Sequence, residues 1–339
     1  MKLCWFLACL LLLMPSCRED DLFDNSVQGN FDALWTILDE RYCFFEMKEV
    51  DWNEVRSRYQ PKLKEVRTRE ELFNLFANML NELKDGHVNL ISGFDVSRYE
   101  AWFDGYPENF DYRLIEANYL GKNYQIAGGL RYKIIEGNIG YIYYGNFSSG
   151  VGEGNLEHVL NKFKDCKGMI FDVRNNGGGN LSYVETIVSR FTREKTLVGY
   201  SCYKTGKGHS DFSGLKPIYA VPSAHQLFTR PVVVLTNRSC YSATNDFANR
   251  MRYMPQVTLM GDKTGGGGGF PFSSELPVGW SIRFSAAPSF DREKQHIEEG
   301  IEPDICVSLQ PEDEAQGIDT IIERAKSLIL GQTPACTFN

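Results

Sequence analysis

The segment at residues 231–248, PVVVLTNRSCYSATNDFA, places the strongest constraint on how this chain can fold. Four consecutive apolar residues at 232–235 predict a short strand that is buried on both faces. After a polar turn, the spacing of Phe247 and Met251 is typical of a helix. The segment therefore predicts a tight turn, rich in serine, between the carboxyl end of a buried strand and a helix.

Ser242 in this turn is the candidate nucleophile. The backbone N–H of Ala243, at the start of the helix, is a candidate donor to a developing oxyanion. A helix-capping role would explain Ser239 and Ser242 about equally well. Cys240, two residues before Ser242, is a rival nucleophile. The turn alone therefore indicates acyl chemistry only weakly.

The first 17 residues have the pattern of an export signal. An apolar run at residues 3–14 follows a lysine and is too short for a permanent membrane span. The serine before Cys17 resembles the lipobox of bacterial lipoproteins, in which the cysteine is acylated, and residues 18–21 resemble the export tag of Bacteroidetes surface lipoproteins. We expect lipidation of Cys17, a tether at residues 18–27 and anchoring in the cell envelope, at the outer membrane; a plain cleaved signal peptide is the alternative.

Charge and cysteine spacing exclude two classes of protein. The net charge is −8 and no basic block stands out, which argues against a nucleic-acid partner. Six cysteines follow residue 17 without a C-x-x-C pair, which excludes a zinc-ribbon site.

Three stretches of helical spacing predict a small N-terminal helical domain at residues 28–91. The third helix begins at Thr68, and Glu71 completes a capping box. The domain ends around residues 85–87, where Asp-Gly breaks the helix before a histidine. Residues 92–131 form a connecting segment for which only a few strands are predicted.

Strands alternate with helices from residue 132 onward, which predicts an α/β core at residues 132–331. A buried strand at 169–173 leads into a glycine-rich turn, and a hairpin is expected at 270–284. A last helix is expected at about 312–330, before a tail at 332–339. The fold class is therefore α/β, or α+β if the helical domain is included.

Four motifs, in this order, resemble those of the serine peptidases that include C-terminal processing (tail-specific) and tricorn-type proteases. They are DVRNNGGG at 172–179, SATNDFA at 242–248, GDKT at 261–264 and GIEPDI at 300–305. The resemblance extends from about residue 30 to 330 and implies a ClpP/crotonase-like core. Tail-specific members usually insert a PDZ module before this core; the segment after Asn89 is too short for one.

The resemblance assigns roles residue by residue. Ser242 matches the family's nucleophile. The lysine base of the tail-specific branch falls on Gly267, and Lys263 lies only four residues earlier. The tricorn-type branch uses a histidine after its helical domain, which His87 matches as general base; the serine that can precede that histidine is Gly86 here.

The resemblance also implies supporting groups. A late glutamate should orient the histidine or the serine, and Glu298 is the first choice, with Glu299 the second. The second oxyanion donor beside Ala243 would be the backbone N–H of Gly177 or Gly178.

The leading hypothesis is an envelope-anchored serine peptidase that acts on a peptide or protein substrate. No metal and no organic cofactor is implied, and the sequence does not give the oligomeric state. The alternative is a catalytically inactive peptide- or lipid-binding protein on the same fold, because the family resembles retinoid-binding modules; an esterase or amidase is a third hypothesis. His296 is the fallback base. The five glycines at 265–269 are either a flexible linker or a substrate-binding loop.

Overall fold

The computed structural model of the chain describes residues 23–332. The predicted signal with Cys17 and the residues after 332 lie outside this range. Within it, no helix combines the length and the apolar character needed to cross a bilayer.

Three helices form the N-terminal layer. They are α1 (Val27–Arg41), α2 (Trp52–Tyr59) and α3 (Arg69–Asn81), and a 3₁₀ turn at Gln60–Glu65 follows α2. The side chain of Thr68 accepts a hydrogen bond from the Glu71 N–H, and the Glu71 carboxylate accepts one from the Thr68 N–H. This is the predicted capping box, which satisfies two backbone donors at the start of α3.

The rest of the described chain alternates strands and helices. Its strands are β1 (Asn89–Ile91), β2 (Gln125–Ala127), β3 (Leu130–Ile135), β4 (Ile139–Tyr143), β5 (Gly168–Asp172), β6 (Thr196–Ser201), β7 (Lys216–Ala220), β8 (Val232–Thr236), β9 (Val257–Gly261), β10 (Gly269–Glu275), β11 (Ser281–Phe290) and β12 (Ile305–Cys306). Its helices are α4 (Tyr112–Ile115), α5 (Glu153–Phe163), α6 (Leu181–Val188), α7 (Ala243–Met251), α8 (Pro311–Glu314) and α9 (Thr320–Ile329).

The larger sheet has seven strands in the order β12-β9-β8-β5-β4-β3-β2. Strands β4, β5, β8, β9 and β12 run parallel, and β2 and β3 complete an antiparallel edge. Every residue of β4, β5 and β8 is buried, as their apolar runs require. Because Asp172 pairs with Leu235 near the ends of β5 and β8, the glycine-rich turn and the serine turn leave the sheet at the same edge.

The smaller sheet is antiparallel, with the order β1-β11-β6-β7, and β10 pairs with β11 to form the predicted hairpin. The hairpin packs on the N-terminal helices. Four of its side chains belong to the same hydrophobic cluster as those helices: Leu276, Trp280, Ile282 and Phe284. The helical layer therefore shares its core with a hairpin from the other end of the chain.

Two local features differ from what the sequence predicted. Within residues 92–131, for which the sequence predicted nothing beyond a few strands, helix α4 continues into a π-helical turn at Glu116–Leu120. The single last helix expected at 312–330 is two helices, α8 and α9. The helical conformation is interrupted at Gly317, which has a φ of 75°. The Asp319 side chain then caps α9 by accepting a hydrogen bond from the Ile322 N–H.

Candidate active site

Ser242 occupies the predicted turn between β8 and α7. Its backbone has a φ of 58° and a ψ of −120°, a region that residues other than glycine rarely adopt. The Ser242 N–H donates to the Gly266 carbonyl at 2.8 Å. This contact holds the turn against the glycine run, and the strained conformation is the kind expected at a functional site.

His87 lies directly beside Ser242. The distance between His87 Nε2 and Ser242 Oγ is 2.9 Å, although 155 residues separate the two in sequence. The backbone N–H of His87 donates to Asp85 Oδ1 at 2.8 Å, and the Tyr42 hydroxyl donates to Asp85 Oδ2 at 3.0 Å. The buried Asp85 carboxylate therefore fixes the turn that carries the histidine.

The environment keeps His87 neutral. Burial lowers the pKa of His87 to about 4, and the positive charges of Arg283 and Lys48 act in the same direction. Asp85 and the backbone of Gly269 oppose this shift, although Nδ1 makes no hydrogen bond of good geometry within residues 23–332. At neutral pH the imidazole is unprotonated and able to accept a proton from the serine hydroxyl.

The backbone around Ser242 offers two donors for an oxyanion. The N–H groups of Ala243 and Gly177 have no hydrogen-bond partner in the described part of the chain, and both residues line the cleft. Gly178, the other predicted donor, is excluded because its N–H donates to Asn176 Oδ1 at 2.9 Å. A Cβ on Gly178, which has a φ of 101°, would lie 2.8 Å from the Ser242 Cβ, so this close approach requires glycine.

Glu298 does not occupy the position that the sequence predicted for it. Its carboxylate is buried and pairs with Lys48 Nζ at 3.1 Å, and no hydrogen bond joins it to His87 or Ser242 in the described structure. Burial, with the charge of Asp85, raises the pKa of Glu298, and Lys48 opposes this. Direct orientation of the histidine or the serine by Glu298 is therefore not observed.

The remaining candidate residues take no part in the pairing of Ser242 with His87. Glu299 is exposed, and Lys263 pairs with Glu302 at 2.9 Å. The ring of His296 lies between aromatic side chains at the protein surface. Burial raises the pKa of the Cys240 thiol to about 12, so this residue is an inert core thiol.

Tyr241 fills the space beside Gly267 and Gly86. The resemblance places the lysine of the tail-specific branch at the first position and the serine of the tricorn-type branch at the second. A Cβ on Gly267, which has a φ of 79°, would lie 2.5 Å from the Tyr241 ring, and a Cβ on Gly86 would lie 2.7 Å from its hydroxyl. The Tyr241 ring stacks on Trp102 and contacts the edge of His87, with ring centroids 4.5 and 4.9 Å apart. The glycine run is therefore a buried, packed segment, which does not fit a flexible linker, one of the two alternatives that the sequence left open.

Two cavities meet at Tyr241 and Gly86. The smaller one, of about 250 Å³, contains Ser242 and His87. Several of its other lining residues are apolar: Leu181, Ala243, Phe270, Pro271 and Ile297. The larger cavity, of about 640 Å³, is lined mainly by charged side chains and contains Glu298 but neither Ser242 nor His87. We take the smaller cavity as the candidate reaction cleft because it holds the paired Ser242 and His87.

Sequence reasoning missed the groups that surround the histidine. Asp85 had a local signal, since it lies two residues before His87, whereas Lys48 and Arg283 come from distant segments with no shared motif. Within residues 23–332, no cluster of three or more histidine, cysteine or acidic side chains could hold a metal ion.

Comparison with known families gives two matches, one to the helical layer and one to the core. The model of peptidase family S41 matches residues 138–307, half of the chain, and that of the tricorn protease C1 domain matches residues 23–81. The chain belongs to peptidase family S41. The predicted fold class, a mixed α/β core behind a helical N-terminal part, is confirmed.

Individual relatives of this S41 chain are C-terminal processing proteases. The carboxyl-terminal-processing protease of Synechocystis is 29% identical over 173 residues, which cover 50% of this chain and 38% of that protein. The carboxy-terminal processing protease CtpA of Bacillus subtilis is 26% identical over 177 residues, 51% and 36% of the two chains. The alignments thus span well under half of the length of these relatives.

Solved structures extend the likeness to nearly the whole chain. A protein of Parabacteroides merdae, described as a candidate peptidase, is 56% identical with a TM-score of 0.86, covering 91% of this chain and 98% of that one. Mature CPAF has a TM-score of 0.68 at 13% identity, with 91% and 99% covered, which shows a likeness of fold alone.

Proposed function

We propose that this protein is a serine peptidase in which Ser242 is the nucleophile and His87 the general base. The observation that supports this most directly is the 2.9 Å distance between Ser242 Oγ and His87 Nε2. A serine hydroxyl is a weak nucleophile unless a base lies within hydrogen-bond reach. Membership of family S41 supports a peptide or protein as the substrate.

The geometry supports acyl transfer in two stages. Ser242 Oγ attacks the scissile carbonyl carbon while neutral His87 accepts the hydroxyl proton. The oxyanion that forms is bound by the N–H groups of Ala243 and Gly177, the latter presented by the glycine-rich turn. His87 then returns the proton to the departing amine, and water releases the acyl group by the same route.

Asp85 is a positioning residue in this mechanism. It holds the backbone of His87, and its negative charge favours the imidazolium that forms when Ser242 attacks. The Lys48–Glu298 pair acts on the site through the charge of Lys48, which lowers the pKa of His87, since Glu298 makes no hydrogen bond to the histidine. Use of a histidine base and the match to the tricorn C1 domain favour a tricorn-like subtype over the Ser/Lys branch.

We also propose that Cys17 carries a lipid anchor and holds the peptidase in the cell envelope, at the outer membrane. The support is the sequence alone. Metabolic labelling with an alkyne fatty acid in a bacterial host tests it. Labelling of the wild type and its loss in Cys17→Ala would support the anchor, and an unlabelled wild type would contradict it.

Hydrolysis of fluorescein-labelled casein by the purified protein tests the peptidase function. We expect Ser242→Ala and His87→Ala to lose roughly a thousandfold or more of the activity. Ser239→Ala, at the other serine of the same turn, is the matched control and should remain active.

If the folded wild type hydrolyses neither casein nor a mixed set of synthetic peptides, the peptidase function is wrong. Turnover of small esters alone would favour an esterase, and peptide binding without turnover would favour the binding protein.

A further inference from the structure

Arg283 places an unpaired positive charge in the reaction cleft. It lies on β11, where Asn89 of β1 and Ser273 of β10 are its cross-strand neighbours, and it lines the same cavity as Ser242 and His87. Within residues 23–332 no carboxylate lies within 4 Å of its guanidinium. Its one hydrogen bond, from Nη1 to Asn89 Oδ1, is long at 3.4 Å.

This lack of a partner distinguishes Arg283 from the buried arginines of the described structure. Three arginines of the core each pair with a carboxylate at 3.0 Å or less: Arg174, Arg190 and Arg250. Buried Arg238 donates to two carbonyl oxygens, those of Trp102 and Thr264, at 2.8 Å. Arg283 is partly enclosed, so burial lowers its pKa, yet most of its five donors have no acceptor among residues 23–332. A desolvated guanidinium with free donors is suited to a carboxylate, which it can bind through two parallel hydrogen bonds.

The rest of the cleft leaves this charge uncompensated. Asp246 is the acidic residue that lines the cleft, and Arg250 already pairs with it at 2.7 Å. The charge of Asp85 acts on Arg283, but the two side chains form no ion pair. Among the described residues, the cleft therefore offers a substrate one cation without a carboxylate partner, beside apolar walls.

We propose that Arg283 binds a carboxylate of the substrate close to the scissile bond. The carboxylate is either the C-terminal group of the peptide or the side chain of an aspartate or glutamate. This inference rests on the proposed peptidase function and narrows its substrate to peptides with a negative charge near the cleavage point. A bound carboxylate would also offset the Arg283 charge that acts on His87, so the base would be stronger with such a substrate in place.

Matched synthetic peptides test this with the full-length enzyme. A peptide of the mixed set that the wild type cleaves is synthesised in paired forms. One pair has either a free or an amidated C-terminus. The other pairs have, at each acidic position, either the aspartate or glutamate or the corresponding asparagine or glutamine. We expect kcat/KM to favour a carboxylate form over its neutral twin by roughly tenfold to a hundredfold. Preference for the free C-terminus assigns the terminal carboxylate; preference for the acidic residue assigns a side chain.

The variants assign that preference to Arg283. In Arg283→Gln the ratio of the two kcat/KM values should fall close to one, and Arg283→Lys, which keeps the charge but not the planar fork, should retain part of it. Arg98→Gln is the matched control, because Arg98 is 66% exposed and its acidic neighbour is 3.9 Å away. A wild type with no preference, or an Arg283→Gln enzyme that keeps the full preference, would overturn the inference and leave the peptidase function standing. A wild type that cleaves no peptide would remove the function and the inference with it.

Discussion

Ser242 lines the cleft and has a strained backbone conformation. Its φ of 58° and ψ of −120° point the hydroxyl out of the turn toward His87, at a cost on the order of 1–3 kcal/mol for a residue with a Cβ. The bond from the Ser242 N–H to the Gly266 carbonyl and the start of α7 hold the residue there. On the proposed mechanism, the position is thus maintained for activity at the expense of stability.

Replacement of Ser242 by glycine should therefore stabilise the fold. We expect Ser242→Gly to be more stable than Ser242→Ala by about 1 kcal/mol, because glycine adopts this conformation without a Cβ clash. Both variants lack the serine hydroxyl, so the comparison isolates the backbone strain. Urea unfolding of the two proteins measures it, and equal or lower stability of the glycine variant would contradict the strain.

Some features of the site could be predicted from a short segment of sequence, and others depend on residues far apart in the chain. Ser242, Ala243 and the DGH turn could be predicted because each lies in a short segment with its own pattern. The burial that lowers the pKa of His87 could not, since it arises from packing between distant segments. The role of Glu298 was predicted only from the resemblance to the family. Its partner in the structure, Lys48, lies 250 residues away in sequence.

At the scale of elements, the site depends on the docking of the turn after β5 onto α7. Asn176 makes this junction with three hydrogen bonds: Oδ1 accepts from the Gly178 N–H at 2.9 Å and from the Thr244 hydroxyl at 2.6 Å, and Nδ2 donates to the Tyr144 carbonyl at 2.8 Å. The buried amide fixes the glycine turn relative to the serine.

Removal of that amide should disorganise the oxyanion site. We expect Asn176→Ala to lower kcat on labelled casein about a hundredfold, because the Gly177 N–H is no longer held in place. Asn180→Ala, which removes an exposed cap of α6 in the same turn, is the control and should change kcat by no more than about twofold. Equal effects of the two variants would contradict a specific role for Asn176.

The element order was largely predictable, because buried apolar runs and alternating helices identify a parallel sheet. The interruptions within elements were not predictable. The split of the last helix depends on Gly317 and on the Asp319 cap, which the helical spacing of the apolar residues conceals. The packing of the glycine run against Tyr241 and Glu298 is a tertiary contact with no trace in the local sequence.

At the scale of the whole molecule, the helical layer and the peptidase core form one packed unit. Trp280 of the β10–β11 hairpin is buried and contacts the rings of Phe73 and Phe76 on α3, with centroids 5.5 and 6.3 Å apart. The same hairpin begins at the reaction cleft with Gly269 and Phe270. Helix packing and cleft shape are therefore coupled through it.

Loss of this contact should weaken the whole protein. We expect Trp280→Ala to destabilise it by about 3–5 kcal/mol and helices and sheets to unfold in a single transition. Phe272→Ala in the same hairpin is the control, since Phe272 is 53% exposed and should cost well under about 1 kcal/mol. Unfolding followed by circular dichroism and by tryptophan fluorescence tests this; separate transitions would show two independent domains.

The most direct test of a serine activated by a neutral histidine is the rate of labelling by a fluorophosphonate as a function of pH. Because protonation of His87 removes the base, the rate should be level across neutral pH and fall only as the pH approaches the His87 pKa of about 4. Ser242→Ala and His87→Ala should not be labelled. A folded wild type that stays unlabelled, or that labels equally well without His87, would contradict the account.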